Sequence, residues 1–134
     1  MTFVDTGAWA ALFVPVDPKH AIAKRWLQEN RDRLITSDYV VDEVLTLLKT
    51  RFSTRASIYA GRSLFGERLS KLLYLTADDI DRAWEIFQSH SDKQWSLTDC
   101  SSLALMQRMR ISKAFAFDKH FSQMWGVRRV PEKS

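Results

Sequence analysis

The sequence predicts an α/β fold with a mainly parallel central sheet covered by helices on both faces. Short β-prone runs alternate along the chain with segments of helical apolar spacing, and parallel strands require such helical crossovers between them. The 134 residues are 46% hydrophobic and 12% aromatic, enough to bury a proper core. No Gly-, Pro- or Ser-rich stretch and no internal repeat interrupts the pattern, so a single domain over residues 1–134 is expected.

Thr2-Phe3-Val4 is a β-prone run that stops at the turn sequence Asp5-Thr6-Gly7, and the apolar stretch Ala8 to Val14 reads as a short helix ended by Pro15. Pro18 opens a second helix, with Ala21, Ile22, Trp26 and Leu27 at helical spacing to about Asn30, and Leu34-Ile35-Thr36 gives a second strand. Ser37 or Asp38 caps a third helix whose apolar face is Val40, Val41, Val44, Leu45, Leu47 and Leu48, and Ala56 to Leu69 forms a fourth. Lys71 to Leu75 returns to strand character. Thr76 precedes the first-turn acids Asp78 and Asp79 of a fifth helix reaching Ser89, and Ser96 or Thr98 caps a sixth reaching Met109. Ala114 to Phe117 reads as a buried strand, His120 to Met124 as a helical turn, and Val127 to Val130 as an edge strand.

Composition narrows the function classes. The longest apolar run, Ala8 to Val14, is far short of the roughly 20 residues of a membrane span, and no charged leader precedes it, so a soluble, uncleaved protein is expected. A lone Cys100 and three scattered histidines (His20, His90, His120) offer neither a disulfide nor a zinc-binding spacing, which suits a reducing cytoplasm. The net charge is +4, and its distribution says more than its size. Residues 49–75 carry six basic side chains against one acid, and residues 108–134 carry seven against two. Each block is either a solvated face or a track for a phosphate backbone.

The acids carry the chemistry. Asp5 follows the first strand and Asp118 follows the strand of residues 114–117, so parallel pairing places both at one sheet edge, where α/β proteins gather their ligands. Each could equally serve as a turn or cap residue. Asp99 shares a helical face with Leu103, Met106 and Met109, and a carboxylate on that face must be neutralised by a proton, a cation or a metal, unless it only caps the helix. Glu43 borders the apolar stripe beside Leu47, a position that an ordinary solvated acid also fills. Four converging carboxylates repel one another unless a cation joins them. Oxygen ligands without His or Cys companions favour Mg²⁺ or Mn²⁺, which support phosphodiester hydrolysis.

The segments FVDTGAWAALF, VVDEVLTLL, WSLTDCSSLALMQRM and AFAFDKHFSQMWGV together resemble the PIN domain, particularly VapC-type toxin ribonucleases, over about residues 2–130. The resemblance implies a three-layer α/β/α sandwich and a Mg²⁺- or Mn²⁺-dependent endoribonuclease acting on RNA. It also implies a homodimer formed through helices of the first half and a small VapB-type antitoxin whose carboxyl-terminal segment covers the site. By the same resemblance Asp5, Glu43, Asp99 and Asp118 are the four metal-binding catalytic acids, in chain order. Thr6 and Thr98 match positions where small hydroxyls orient ligands or water, and are equally good turn or capping residues. His120 fits the pattern and is expected to pack rather than to take part in catalysis.

Rival readings are separable. A haloacid-type phosphatase needs a second Asp where Gly7 stands, a receiver domain needs adjacent acids near its start, and a P-loop enzyme needs a Gly-rich cradle that is absent. A non-catalytic nucleic-acid-binding or scaffold module would keep the fold and the basic blocks, and a non-toxin PIN nuclease in RNA processing would keep the chemistry. Trp9, Trp84, Trp95 and Trp125 could stack bases, although tryptophans in a small domain are usually core or interface.

Overall fold

The computed structural model describes residues 1–132. Among them the strands are β1 (Thr2–Val4), β2 (Leu34–Ser37), β3 (Lys71–Leu73), β4 (Lys113–Phe115) and β5 (Arg128–Val130). The helices are α1 (Thr6–Phe13), α2 (His20–Glu29), α3 (Asp38–Arg51), α4 (Thr54–Phe65), α5 (Ala77–Ser89) and α6 (Leu97–Met109), with a 3-10 turn over Lys119–Gln123. The strands form one sheet in the order β3-β2-β1-β4-β5, and every neighbouring pair is parallel.

This order follows from the chain's path. From β1 it steps to β2 and β3 on one side, then returns past β1 to lay down β4 and β5 on the other. Right-handed crossovers put the helices of the outward path on one face and those of the return path on the opposite face. The helix contacts divide accordingly: α1 meets α2 and α3, α3 meets α4, and α5 meets α6, with α3 also reaching α6. The expected α/β/α layering is therefore present. β1 lies at the centre, and Thr2, Phe3 and Val4 are wholly buried there because both faces of a central parallel strand are covered.

Polar groups inside this core are paired. Trp9 Nε1 donates to Thr36 Oγ1 at 3.1 Å, and that hydroxyl donates to the Val4 carbonyl at 3.1 Å, which ties α1 to β2 and β1. Arg108 of α6 grips the buried Asp79 of α5 through Nε at 2.7 Å and Nη2 at 3.0 Å. The guanidinium holds the Asp79 carboxyl below its ordinary range. Lys113 and Thr2 engage Asp32 in the same way at the opposite sheet edge.

Several expected boundaries move. The second helix starts at His20 rather than Pro18, because the Asp17 side chain accepts from the Lys19 amide at 2.8 Å and closes a turn first. The fourth helix stops at Phe65 rather than Leu69. There a Cβ on Gly66 would come within 2.6 Å of the Arg62 carbonyl, and Glu67 then takes a positive φ of 51°, so the chain has turned out of the helix. β4 ends at Phe115 rather than Phe117: Ala116 still donates to the Val130 carbonyl at 3.1 Å, but Phe117 turns edge-on to the Phe115 ring. Asp118 thus follows the strand by a short excursion rather than directly.

Because Asp79 is buried, replacing Arg108 leaves an unpaired carboxylate. Arg108→Ala should lower unfolding stability by about 1–3 kcal/mol, discounted for the partly exposed arginine, and Arg108→Lys by less. The midpoint of urea denaturation at neutral pH measures this.

Candidate functional site

In an open parallel sheet the crevice for ligands lies beyond the carboxyl ends of the strands, where the winding direction reverses. Here that point falls between β1 and β4, whose last residues, Val4 and Phe115, are directly paired. Asp5 occupies the first position past β1. It stands at the N-cap of α1, yet its side chain makes no capping hydrogen bond. The carboxyl is buried, 4% exposed, and its Oδ1 has no hydrogen-bond partner. Capping therefore does not account for this residue.

Asp99 arrives from α6. Ser96 Oγ accepts from the Asp99 amide and Asp99 Oδ2 accepts from the Ser96 amide, both at 3.0 Å, a reciprocal box that fixes the carboxylate. The expected reading of Asp99 by its stripe was too simple, because α6 is buried on all sides from Asp99 to Met106 and no single face is the core face. Asp118 comes from the segment after β4. Its Oδ1 accepts from the His120 amide at 2.9 Å, which starts the 3-10 turn and swings the imidazole back over the acids. His120 Nδ1 lies 3.0 Å from Asp99 Oδ2 and 3.2 Å from Asp118 Oδ1. One ligand atom from each of Asp99, Asp118 and His120 falls within 4.8 Å of the others.

Glu43 projects from α3 into a cleft it shares with Asp42, Arg51 and Thr98, where α3 reaches α6. Its charge is felt at Asp5, as are those of Asp99 and Asp118. The four acids thus lie near one edge of the sheet, from the end of β1, α3, α6 and the segment after β4; the group found within 4.8 Å is Asp99, Asp118 and His120, with Asp5 and Glu43 joined to it through their charges. Thr6 follows Asp5 with a buried hydroxyl that lacks a partner, and Thr98 flanks Glu43.

Electrostatics show what the cluster lacks. Burial, and then the neighbouring carboxylates of Asp99, Glu43 and Asp118, push the Asp5 pKa up to about 8, although the adjacent Thr6 amide pulls the other way. Among the described residues no Lys or Arg forms an ion pair with any of the four acids. A buried carboxylate oxygen without a partner, beside like charges and without a basic side chain, fits a divalent cation as the missing group. Cys100 contributes no thiolate: burial raises its pKa to about 11.

His120 was the residue the sequence undervalued. The signal was its place two residues after Asp118 at a strand's carboxyl end, where an Asp that accepts from the second amide onward turns that side chain back upon itself. The tryptophans divide: Trp9 and Trp95 are buried and unavailable for stacking, whereas Trp84 and Trp125 are exposed. The second basic block also breaks up, because Arg108 pairs with Asp79, Lys113 with Asp32 and Arg128 with Glu132, while Lys133 lies outside the described residues. In the first block Lys49, Arg51, Arg55, Arg62, Arg68 and Lys71 are all exposed. No helix among the described residues is long and apolar enough to cross a membrane.

Comparison with known proteins agrees with this geometry. The PIN domain family model matches residues 2–126. The chain is 36% identical over 132 residues to a 23S rRNA-specific endonuclease, VapC20 of Mycobacterium tuberculosis, covering 98% of this chain and 100% of that one. It is 30% identical over 122 residues to the ribonuclease VapC26 of the same organism, 90% of each. The crystal structure of VapC20, described as a sarcin-ricin loop cleaving toxin, superposes with a TM-score of 0.88 over 92% of this chain and 94% of that one at 34% identity.

The Asp5 proton gives a sign to the pH dependence. Between 3.8 and about 8 the unfolded chain has released a proton that folded Asp5 retains, so ion-free protein should lose stability as pH rises through that window. Thermal melts in chelator from pH 5 to pH 8 should fall steadily, and Asp5→Asn should flatten the slope.

Proposed function

This chain belongs to the PIN domain family, and from that premise we propose that it is a single-domain, Mg²⁺- or Mn²⁺-dependent endoribonuclease, the toxin of a VapBC-type pair. The observation that carries the reading is Asp5, a buried carboxylate with an unpartnered oxygen set among three further acids. Identity to an rRNA-specific endonuclease along nearly the whole chain supports an RNA substrate, and 23S rRNA is the first to test.

Asp5, Glu43, Asp99 and Asp118 would hold the ion. When bound, it supplies a water of lowered pKa and offsets charge gathering on the phosphate. The chain's own residues do the positioning. The Ser96 box and the Asp118 turn keep two carboxylates aimed inward, so that neither reorganises when the ion or the substrate arrives. Thr6 offers its unpartnered hydroxyl beside Asp5, and Thr98 lies beside Glu43, both placed to orient water or a phosphate oxygen. The positive ends of the α1 and α6 dipoles face the same crevice and favour an incoming anion. Arg51 lines the Glu43 cleft, forms no ion pair among the described residues, and would meet the phosphate backbone from that side.

Two protein partners are proposed from the family resemblance, and the surface chemistry is compatible with both. The acids suit a guanidinium from an antitoxin segment, which would compete with the ion for the same oxygens. A homodimer would cover the apolar side chains left exposed on α2 and α4 and just beyond, chiefly Ile22, Ile58, Tyr59, Phe65 and Leu69.

Purified protein should cut cellular RNA with Mg²⁺ or Mn²⁺ and stop in chelator, and Asp99→Asn should slow cleavage by more than about 100-fold while retaining RNA binding. Primer extension along 23S rRNA maps the cut. Full-rate cleavage by Asp99→Asn sinks the proposal, and binding without cleavage by the wild type would favour the non-catalytic module instead. Arg51→Ala should raise KM with kcat little changed, and reduce the salt slope of RNA binding by about one.

A further inference from the structure

We propose that His120 is itself a ligand of the ion, adding one nitrogen to the oxygen donors and biasing the site toward Mn²⁺ over Mg²⁺. The inference rests on the reading of the acids as a metal site and adds to it a residue expected only to pack.

Adjacent ligands of an octahedral ion with bonds of about 2.1 Å stand about 3 Å apart. The separations of His120 Nδ1 from Asp99 Oδ2 and Asp118 Oδ1 are 3.0 and 3.2 Å, which are two such edges sharing a vertex. One ligand atom from each of the three residues lies within 4.8 Å of the others, a spacing that suits a single shared ion. The backbone that carries the imidazole is held in place: the His120 amide is tied to Asp118 Oδ1, and Phe121, the next residue, is fully buried. The other histidines are engaged elsewhere: His20 Nδ1 contacts the Ala11 carbonyl at 2.7 Å and His90 Nδ1 the Ile86 carbonyl at 3.0 Å.

In the ion-free protein the imidazole gives the two carboxylates a hydrogen-bonding partner. With the ion bound, Nδ1 turns its lone pair to the metal and the ring carries its proton on Nε2. A carboxylate-only site suits Mg²⁺ as readily as Mn²⁺, whereas an imidazole strengthens binding along the series from Mn²⁺ toward later metals and does little for Mg²⁺.

Pulsed electron paramagnetic resonance of the Mn²⁺-loaded full chain tests this without any mutation. Histidine nitrogen coupling to Mn²⁺ is expected, and it should change character when histidine is supplied as the ¹⁵N isotope. His120→Ala should remove the coupling and weaken Mn²⁺ binding by about 10-fold or more, with a smaller loss for Mg²⁺. Should Mn²⁺ bind, and Asp99→Asn abolish that binding, while no histidine nitrogen is detected, the ligand role of His120 falls and the acidic site stands. Should wild-type protein bind no Mn²⁺ at all, both readings fall together. Retained coupling in His120→Ala would assign the nitrogen to another histidine and overturn the proposal.

Discussion

A buried carboxylate with nothing to balance it is the constraint around which this molecule is organised. Asp5 sits at the centre of the sheet's carboxyl edge, where burial first, and then three nearby acids, raise its pKa to about 8. Left alone, such a cluster opposes folding, because like charges meet where water is excluded. The remainder of the fold must supply enough burial to tolerate it, and the fully buried Phe3, Trp9, Phe115 and Phe121 lie in the chain segments that adjoin the site. Strain of this kind is characteristic of a place awaiting a ligand.

The chain keeps the acids in position by giving two of them a second task. Asp99 closes the capping box of α6 and Asp118 nucleates the turn that returns His120 to the cluster. Capping and a place in the cluster are therefore not alternatives at these residues. The hydrogen bonds that satisfy the helix starts also fix one oxygen of each carboxylate. Asp5 has no such task, and it is the one whose proton affinity is most disturbed.

Charge elsewhere is sorted by the same economy. Buried or edge acids outside the site receive a basic partner each, as Asp79 does from Arg108 and Asp32 from Lys113, and these pairs bind helix to helix and strand to loop. Among the described residues the site acids receive no Lys or Arg, only the His120 imidazole against Asp99 and Asp118. Of the exposed cations of residues 49–75, Arg51 borders the Glu43 cleft, whereas Arg68 and Lys71 line a cavity with Asp32 at the opposite sheet edge. On the function proposed above, Arg51 would meet an anionic substrate beside the acids without neutralising them.

The sequence by itself determined the alternation of strands and helices, the cap at Thr76, the caps at Ser37 and Ser96 to within one or two residues, and the four acids in chain order. Such features are local, since turn chemistry and helical spacing act over a few residues. It also placed Asp5 and Asp118 at a common edge, because parallel pairing fixes which strand ends coincide. Only the tertiary structure decided where β4 stops, that α6 is buried around its circumference, and that Arg108, Lys113 and Arg128 of the second basic block are already spent on ion pairs. Those outcomes depend on partners far away in the chain. His120 is the clearest case: nothing adjacent to it in sequence states that its ring meets Asp99, twenty-one residues earlier, and that meeting exists only because β4 and α6 come together at the point where the winding of the sheet reverses.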